Sequence, residues 1–196
     1  MGIMGQHRPP SHGYLLFDTA VGHCGLAWGE RGITGVLLPE DNQQETRRRM
    51  QQLHPAVTES DEANAAPIAR EAAARIRGLL RGYKDDLQDL ALDMSDVPAF
   101  HVRVYRLVRG IGPGETMTYG EVAERLGEPS AARAVGQALA RNPFAPVVPC
   151  HRVLAAATAS GNFRSGGFSA GGGIVTKLRM LQTEGARFSR EQGLFD

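Results

Sequence analysis

Two cysteines, Cys24 and Cys150, are all that the 196 residues contain. That scarcity excludes a disulfide framework and a four-cysteine zinc site, and in a reducing compartment it leaves a thiol free to react. No apolar run reaches the roughly 18 residues that a membrane span needs. The opening Met1-Gly2-Ile3-Met4-Gly5-Gln6 lacks the apolar core of a signal peptide, and Gln6 stands where a myristoylation motif wants Ser or Thr. A soluble, cytoplasmic protein with no membrane partner is therefore expected. His54, His101 and the adjacent His23-Cys24 pair lack metal-ligand spacing, so no metal and no cofactor are expected either.

What is present is an ordinary globular composition, 42% hydrophobic and 22% charged, in a chain long enough for one or two small domains. The net charge is only +1, but it is unevenly spread. Residues 1–100 carry 10 Lys and Arg against 14 Asp and Glu, whereas residues 101–196 carry 12 against 7. A basic back half suggests that phosphates, if any are bound, are met there. Chance fluctuation would give a similar contrast.

Residues 1–13 are polar, contain Pro9-Pro10, and read as a disordered leader. Three β-like runs follow, Tyr14 to Thr19, Cys24 to Trp28 and Ile33 to Leu38, punctuated by glycine as in an antiparallel meander. Helices are expected over Gln43 to Leu53 and over Ala63 to Leu80, where Ile68, Ala72, Ile76 and Leu80 form one stripe. Leu87 to Met94 is a candidate edge strand, and a linker around Ser95 to Pro98 closes this α/β half. The back half is helical. Phe100 to Val108 is amphipathic. Thr118 and Glu121 match a capping box at the start of a helix over Tyr119 to Leu126, and a second helix over Ala131 to Arg141 ends at Asn142-Pro143. Two short helices about a glycine-containing turn form a helix-turn-helix pattern, although unrelated helical hairpins look alike.

On the second of these helices Ala132, Gly136 and Ala140 form a stripe of small residues, beside a polar stripe of Arg133, Gln137 and Arg141. Small stripes serve helix packing, and they also let a helix backbone approach a DNA groove with an arginine poised to enter the duplex. The spacing alone leaves both readings open. Cys150 is similarly ambiguous. A lone cysteine is commonly a small buried hydrophobe, but Pro149 before it and His151-Arg152 after it could present and activate a thiolate.

Pro149-Cys150-His151-Arg152-Val153 resembles the signature of the O6-alkylguanine-DNA alkyltransferases, the methylated-DNA–protein-cysteine methyltransferases. Thr118-Tyr119-Gly120-Glu121-Val122-Ala123 resembles the start of that family's first motif helix. Ala132 to Gly136 with Asn142-Pro143 resembles its recognition helix and hinge, and Lys177 to Leu181 with Glu184-Gly185 resembles its closing helix. The similarity runs from about Phe100 to Gly185, and the front half matches more loosely. The resemblance implies an α+β fold. An RNase H-like N-terminal α/β domain with an antiparallel sheet would span 14–97. A mostly helical, helix-turn-helix (winged-helix-like) alkyltransferase domain would span 98–196.

For function, the resemblance implies single-turnover transfer of an alkyl group from O6-alkylguanine in double-stranded DNA to Cys150, by a monomer. Flipping is required because the alkylated oxygen cannot be reached in a stacked duplex. Arg133 would fill the gap left by the extruded base, with Ala132, Gly136 and Gln137 against the minor groove. Tyr119 would crowd the 3′ phosphate and donate a proton to the guanine ring. Asn142 would brace the cysteine turn, and His151, oriented by Glu184, would take the thiol proton through a water. Pro149, Val153, Phe163, Ser165 and Ser169 would line the substrate pocket, with the carbonyls of Cys150 and Val153 accepting from the guanine amino group. Arg152 reads as structural.

The chain departs from the family pattern between Ala155 and Gly173, where a long glycine-rich loop replaces a shorter one. Either Phe163 or Phe168 could supply the aromatic residue over the pocket, and either Ser165 or Ser169 the donor to the guanine oxygen. Gly167-Phe168-Ser169-Ala170-Gly171 also matches a hydrolase nucleophile elbow, but that motif needs a strand before it and a helix directly after. A lesion sensor without chemistry would lack Cys150. A fused regulator would need a cysteine-rich zinc domain. A cysteine hydrolase would not explain Arg133 and the helix-turn-helix.

Overall fold

The structure, a computed structural model, describes residues 12–156, 166–169 and 171–186. Its first element is an antiparallel meander of β1 (Gly13–Thr19), β2 (Gly22–Gly29) and β3 (Gly32–Leu37), in that spatial order. Tyr14 faces Ala27 and Phe17 faces Cys24, and a register shift interrupts the β2–β3 ladder at Ala27 and Trp28. Gly13, expected in the leader, already opens β1; residues 1–11 lie outside the described residues.

Side-chain alternation sends Leu15, Phe17, Cys24 and Leu26 into the main core and Tyr14, Leu16 and Ala27 to the opposite face. Helix α2 (Pro67–Leu79) covers the first face through Ala69, Ala72, Ala73 and Ile76. Helix α1 (Gln43–Leu53) covers the second through Met50. Cys24 is fully buried beneath the sheet, 3.9 Å from Thr19 Oγ1, and burial pushes its thiol up to about 12.

Two expectations are corrected here. The second helix begins at Pro67 rather than Ala63, because proline suits a first helical position and holds the residue before it extended. Glu62–Asn64 forms a separate 3-10 turn. No edge strand forms over 87–94, and the segment pairs with β3 through an isolated parallel bridge between Ile33 and Leu92. Leu87 adopts φ +55°, which ends an extended run, and the carbonyls of Leu87, Gln88 and Leu90 turn to one guanidinium nitrogen of Arg109 at 2.6–3.0 Å.

The back half is built from α3 (Ala99–Arg109), α4 (Tyr119–Arg125), α5 (Ala132–Ala140) and α6 (Gly173–Thr183). The capping box is formed. Thr118 Oγ1 accepts from Glu121 N at 3.1 Å, and Thr118 N donates to Glu121 Oε2 at 2.6 Å. Gly127, at φ +77°, and a 3-10 turn over Pro129–Ala131 redirect the chain into α5. Tyr105 on α3 donates to the Ala138 carbonyl at 2.9 Å and so fixes α5 from behind. A short parallel pair, β4 (Met117–Thr118) against β5 (Val153–Leu154), joins the start of α4 to the chain just after Cys150.

The two halves share one hydrophobic core. Besides Arg109, the backbone bond from Val36 N to the Pro143 carbonyl, 2.8 Å, crosses between them. Among the described residues, no helix is long and apolar enough to cross a membrane.

Candidate active site

Cys150, His151 and Arg152 form a 3-10 turn that follows Pro149, and all three are buried. The turn is held from both sides. Cys150 N donates to the Val148 carbonyl at 2.8 Å, and Asn142 Nδ2 donates to the same carbonyl at 2.8 Å while its Oδ1 accepts from Phe144 N at 3.0 Å. The Asn142 position thus follows from α5 ending where Pro143 cannot continue it.

Behind the turn lies a closed ionic group. Glu184, the residue that ends α6, is 7% exposed. Its Oε1 is 2.9 Å from His151 Nε2, and it accepts two bonds from Arg152, Nε to Oε2 at 2.9 Å and Nη2 to Oε1 at 2.7 Å. Arg152 Nη1 also donates to the Ile111 carbonyl at 2.5 Å. Burial alone would raise the Glu184 carboxyl, but the bonds from His151 and Arg152 outweigh it and hold the group down at about 2. Burial pushes the His151 imidazole below its usual value, against the pull of Glu184. A carboxylate facing a neutral imidazole requires the proton on Nε2. Nδ1, which has no hydrogen-bond partner among the described residues, then carries the lone pair.

Lys177, on α6 and fully buried, also acts on Cys150. Its Nζ donates to the Val153 carbonyl at 2.7 Å, lies 3.4 Å from the Gly167 carbonyl, and sits 5.9 Å from the centre of the Tyr119 ring. Burial pushes Lys177 down to about 8. For Cys150 burial is the leading influence and raises the thiol. The Asn142 hydrogen bond, the Lys177 charge and neighbouring backbone N–H groups act in the opposite direction. Tyr119 is raised, first by burial and then by Cys150, so it holds its proton.

Cys150 opens into a cavity of 770 Å³. One wall is the face of α5 that the sequence singled out, Ala132, Arg133, Gly136, Gln137 and Ala140, with Tyr119 at its edge. Phe168 and Ser169 also line the cavity. Of the two alternatives for the aromatic residue and the serine, Phe168 and Ser169 are therefore at the cavity; Phe163 and Ser165 lie outside the described residues. Asn142, Pro149, His151, Val153 and Glu184 stand behind the cavity's lining. The carbonyls of Cys150 and Val153, expected to meet the guanine amino group, already accept from Val153 N and Lys177 Nζ respectively. Residues 166–169 have no strand before the serine, which removes the hydrolase-elbow reading.

Two members of this site were not expected from the sequence, Lys177 and the bidentate partner role of Arg152. Lys177 carried a readable signal, since it falls on the buried stripe of α6 with Leu178 and Leu181. Among the described residues no group of three His, Cys, Asp or Glu could hold a metal.

Residues 99–186 match the family described as "6-O-methylguanine DNA methyltransferase, DNA binding domain". A methylated-DNA–protein-cysteine methyltransferase of Mycolicibacterium paratuberculosis is 34% identical over 183 residues, which cover 93% of this chain and 98% of that protein. The bifunctional transcriptional activator/DNA repair enzyme Ada of Escherichia coli is 36% identical over 141 residues, 72% of this chain but 38% of that protein. The crystal structure of Mycobacterium tuberculosis OGT in complex with DNA superposes with a TM-score of 0.67 at 30% identity, covering 88% of this chain and 92% of that one. With a reactive-cysteine turn, a helix-turn-helix face and this near-full-length likeness together, the chain belongs to the methylated-DNA–protein-cysteine methyltransferase family.

Proposed function

We propose that this protein repairs DNA by taking the alkyl group of an O6-alkylguanine onto Cys150 Sγ, once per molecule. The observation that carries the reading is one cavity lined both by Cys150 and by the small-residue, Arg133-bearing face of α5. In this reading α4 and α5 are a winged-helix-like reader over 98–196, the sheet and its two helices are an RNase H-like support over 14–97, and a cytoplasmic monomer acts on duplex DNA.

The roles follow from the geometry. Ala132 and Gly136 let α5 approach the minor groove, Gln137 contacts it, and Arg133, exposed at the start of α5, occupies the place of the flipped nucleotide. A water between Sγ and His151 Nδ1 passes the thiol proton to the imidazole, whose developing charge Glu184 stabilises. The thiolate attacks the alkyl carbon in line. The S–C bond forms as the O6–C bond breaks, and the electron pair goes to the guanine. Tyr119, which keeps its proton at neutral pH, protonates a ring nitrogen as that charge develops. Ser169, in the cavity wall, donates to the guanine oxygen, and Phe168 covers the base. A thioether is not hydrolysed under ordinary conditions, so the product is a spent protein.

Intact-protein mass spectrometry after incubation with a duplex carrying O6-methylguanine tests this directly. One methyl mass on Cys150 per molecule is expected, and none on Cys150→Ser. No gain at stoichiometric DNA would defeat the transfer reading and leave lesion binding, the non-catalytic sensor alternative, in its place. Arg133→Ala should slow transfer from duplex DNA far more than from the free alkylated base.

A further inference from the structure

Of the loop in which this chain departs from its family, Gly167, Phe168 and Ser169 line the cavity, and Gly171 rests on the N-terminal half. A Cβ built on Gly171 would lie 2.0 Å from the Pro39 carbonyl oxygen and 3.0 Å from Glu40 Cα. Only glycine allows that approach, so the two backbones are in direct contact. The turn beneath is firmly placed. Pro39 is buried, and its ring fills the space where a Cβ on Gly22 would come within 3.0 Å. Glu40 N donates to Thr46 Oγ1 at 3.1 Å, and Thr46 is itself fully buried. From above, Thr176 Oγ1 donates to the Gly171 carbonyl at 2.8 Å. Gly171 is therefore held between α6 and the turn after β3, two residues beyond Ser169 and three beyond Phe168.

We propose that the Pro39–Glu40 turn, through its seat for Gly171, is a specificity-determining contact by which the N-terminal half fixes the size of alkyl group accepted beside Cys150. The inference rests on the repair reading above. Its physical basis is a difference in what the two kinds of adduct need. Every adduct meets Phe168 and Ser169 through its guanine, but a methyl carbon asks nothing further of that wall, whereas an aromatic adduct such as benzyl must itself pack on it. Ala140, Ala155 and Ala156, which line the same cavity, are small and leave room for it. If Gly171 leaves its seat, the wall moves inward and blocks the ring, or outward and no longer packs on it. Benzyl transfer falls either way, and methyl transfer, which uses the wall only through the guanine, falls less.

The test is a time course of mass gain on duplexes carrying O6-methylguanine or O6-benzylguanine, for the wild type, Gly171→Ala and Pro39→Ala. The wild type is expected to accept both groups. The benzyl-to-methyl rate ratio should fall about tenfold or more in Gly171→Ala and in the same direction in Pro39→Ala, a difference of the size pocket contacts produce. Pro39→Ala only trims a ring, so it carries the test if Gly171→Ala does not fold. An unchanged ratio in the folded variants, or an equal loss of both rates, would overturn the inference. A wild type that gains neither group would overturn the repair reading itself, and this inference with it.

Discussion

At the scale of single residues, Lys177 is the least expected member of the site and makes a sharp prediction. Its charge favours the Cys150 thiolate, against the burial that raises the thiol. Lys177→Met should therefore raise the pH at which Cys150 reacts with iodoacetamide, by roughly one unit or more, the usual effect of losing a close opposite charge. An unchanged pH profile would remove the lysine from thiolate stabilisation. The sign for folding is opposite. The fold lowers the ammonium from its ordinary 10.5 to about 8, so the unfolded chain binds the proton more tightly. The charged lysine thus weakens the fold below pH 8, and that penalty fades as the pH rises from about 8 towards 10.5. The urea midpoint of the wild type should rise relative to Lys177→Met across that window.

At the scale of elements, Gly136 shows how a residue too small to contact much can define a surface. A Cβ there would meet the Tyr119 ring at an ordinary 3.8 Å, so Gly136→Ala should fold and bind DNA nearly as the wild type does. Gly136→Leu should fold too but lose about tenfold or more in duplex affinity, because its side chain enters the space the groove needs. Titration of a labelled duplex checks both, and equal affinities would return the stripe to simple helix packing. The elements also show what the sequence made legible. Helix α1 was delimited to the residue, and Thr118 with Glu121 announced the start of α4, because local hydrogen bonds alone decide these features. The absent edge strand and the β4–β5 pair were not legible. Each depends on a distant partner, Arg109 in one case and Val153 in the other, and pattern within a segment does not carry that information. The site divides in the same way. The Cys150 turn, Asn142 and the α5 face could be read from motif residues, whereas the contact of Gly171 with Pro39 joins residues far apart in the chain.

At the scale of the whole molecule, the seam between halves hangs on few polar contacts within a shared core. Arg109 satisfies three carbonyls of the 87–90 segment with one nitrogen, and burial disfavours its charge. Arg109→Met keeps the apolar stem but leaves those carbonyls without their donor. A loss of about 1–2 kcal/mol is expected, because the bonds run to a charged group but are only part-buried or exposed. Urea unfolding followed by Trp28 fluorescence, which reports the front sheet, and by far-ultraviolet circular dichroism, which the back-half helices dominate, should keep the two transitions coincident in the wild type. A variant as stable as the wild type would show that the apolar core alone holds the seam. The charge asymmetry of the sequence has its counterpart here, since Arg133, Gln137 and the Cys150 cavity all lie in the basic half.

The two cysteines stand in opposite chemical situations. Cys24 is sealed under the sheet with its thiol pushed up to about 12, while Cys150 opens into the cavity. In the native protein, a thiol reagent therefore counts unspent molecules and nothing else, with the second sulfur appearing only on unfolding. On the repair reading, a sample thus reports what share of its molecules can still accept an alkyl group.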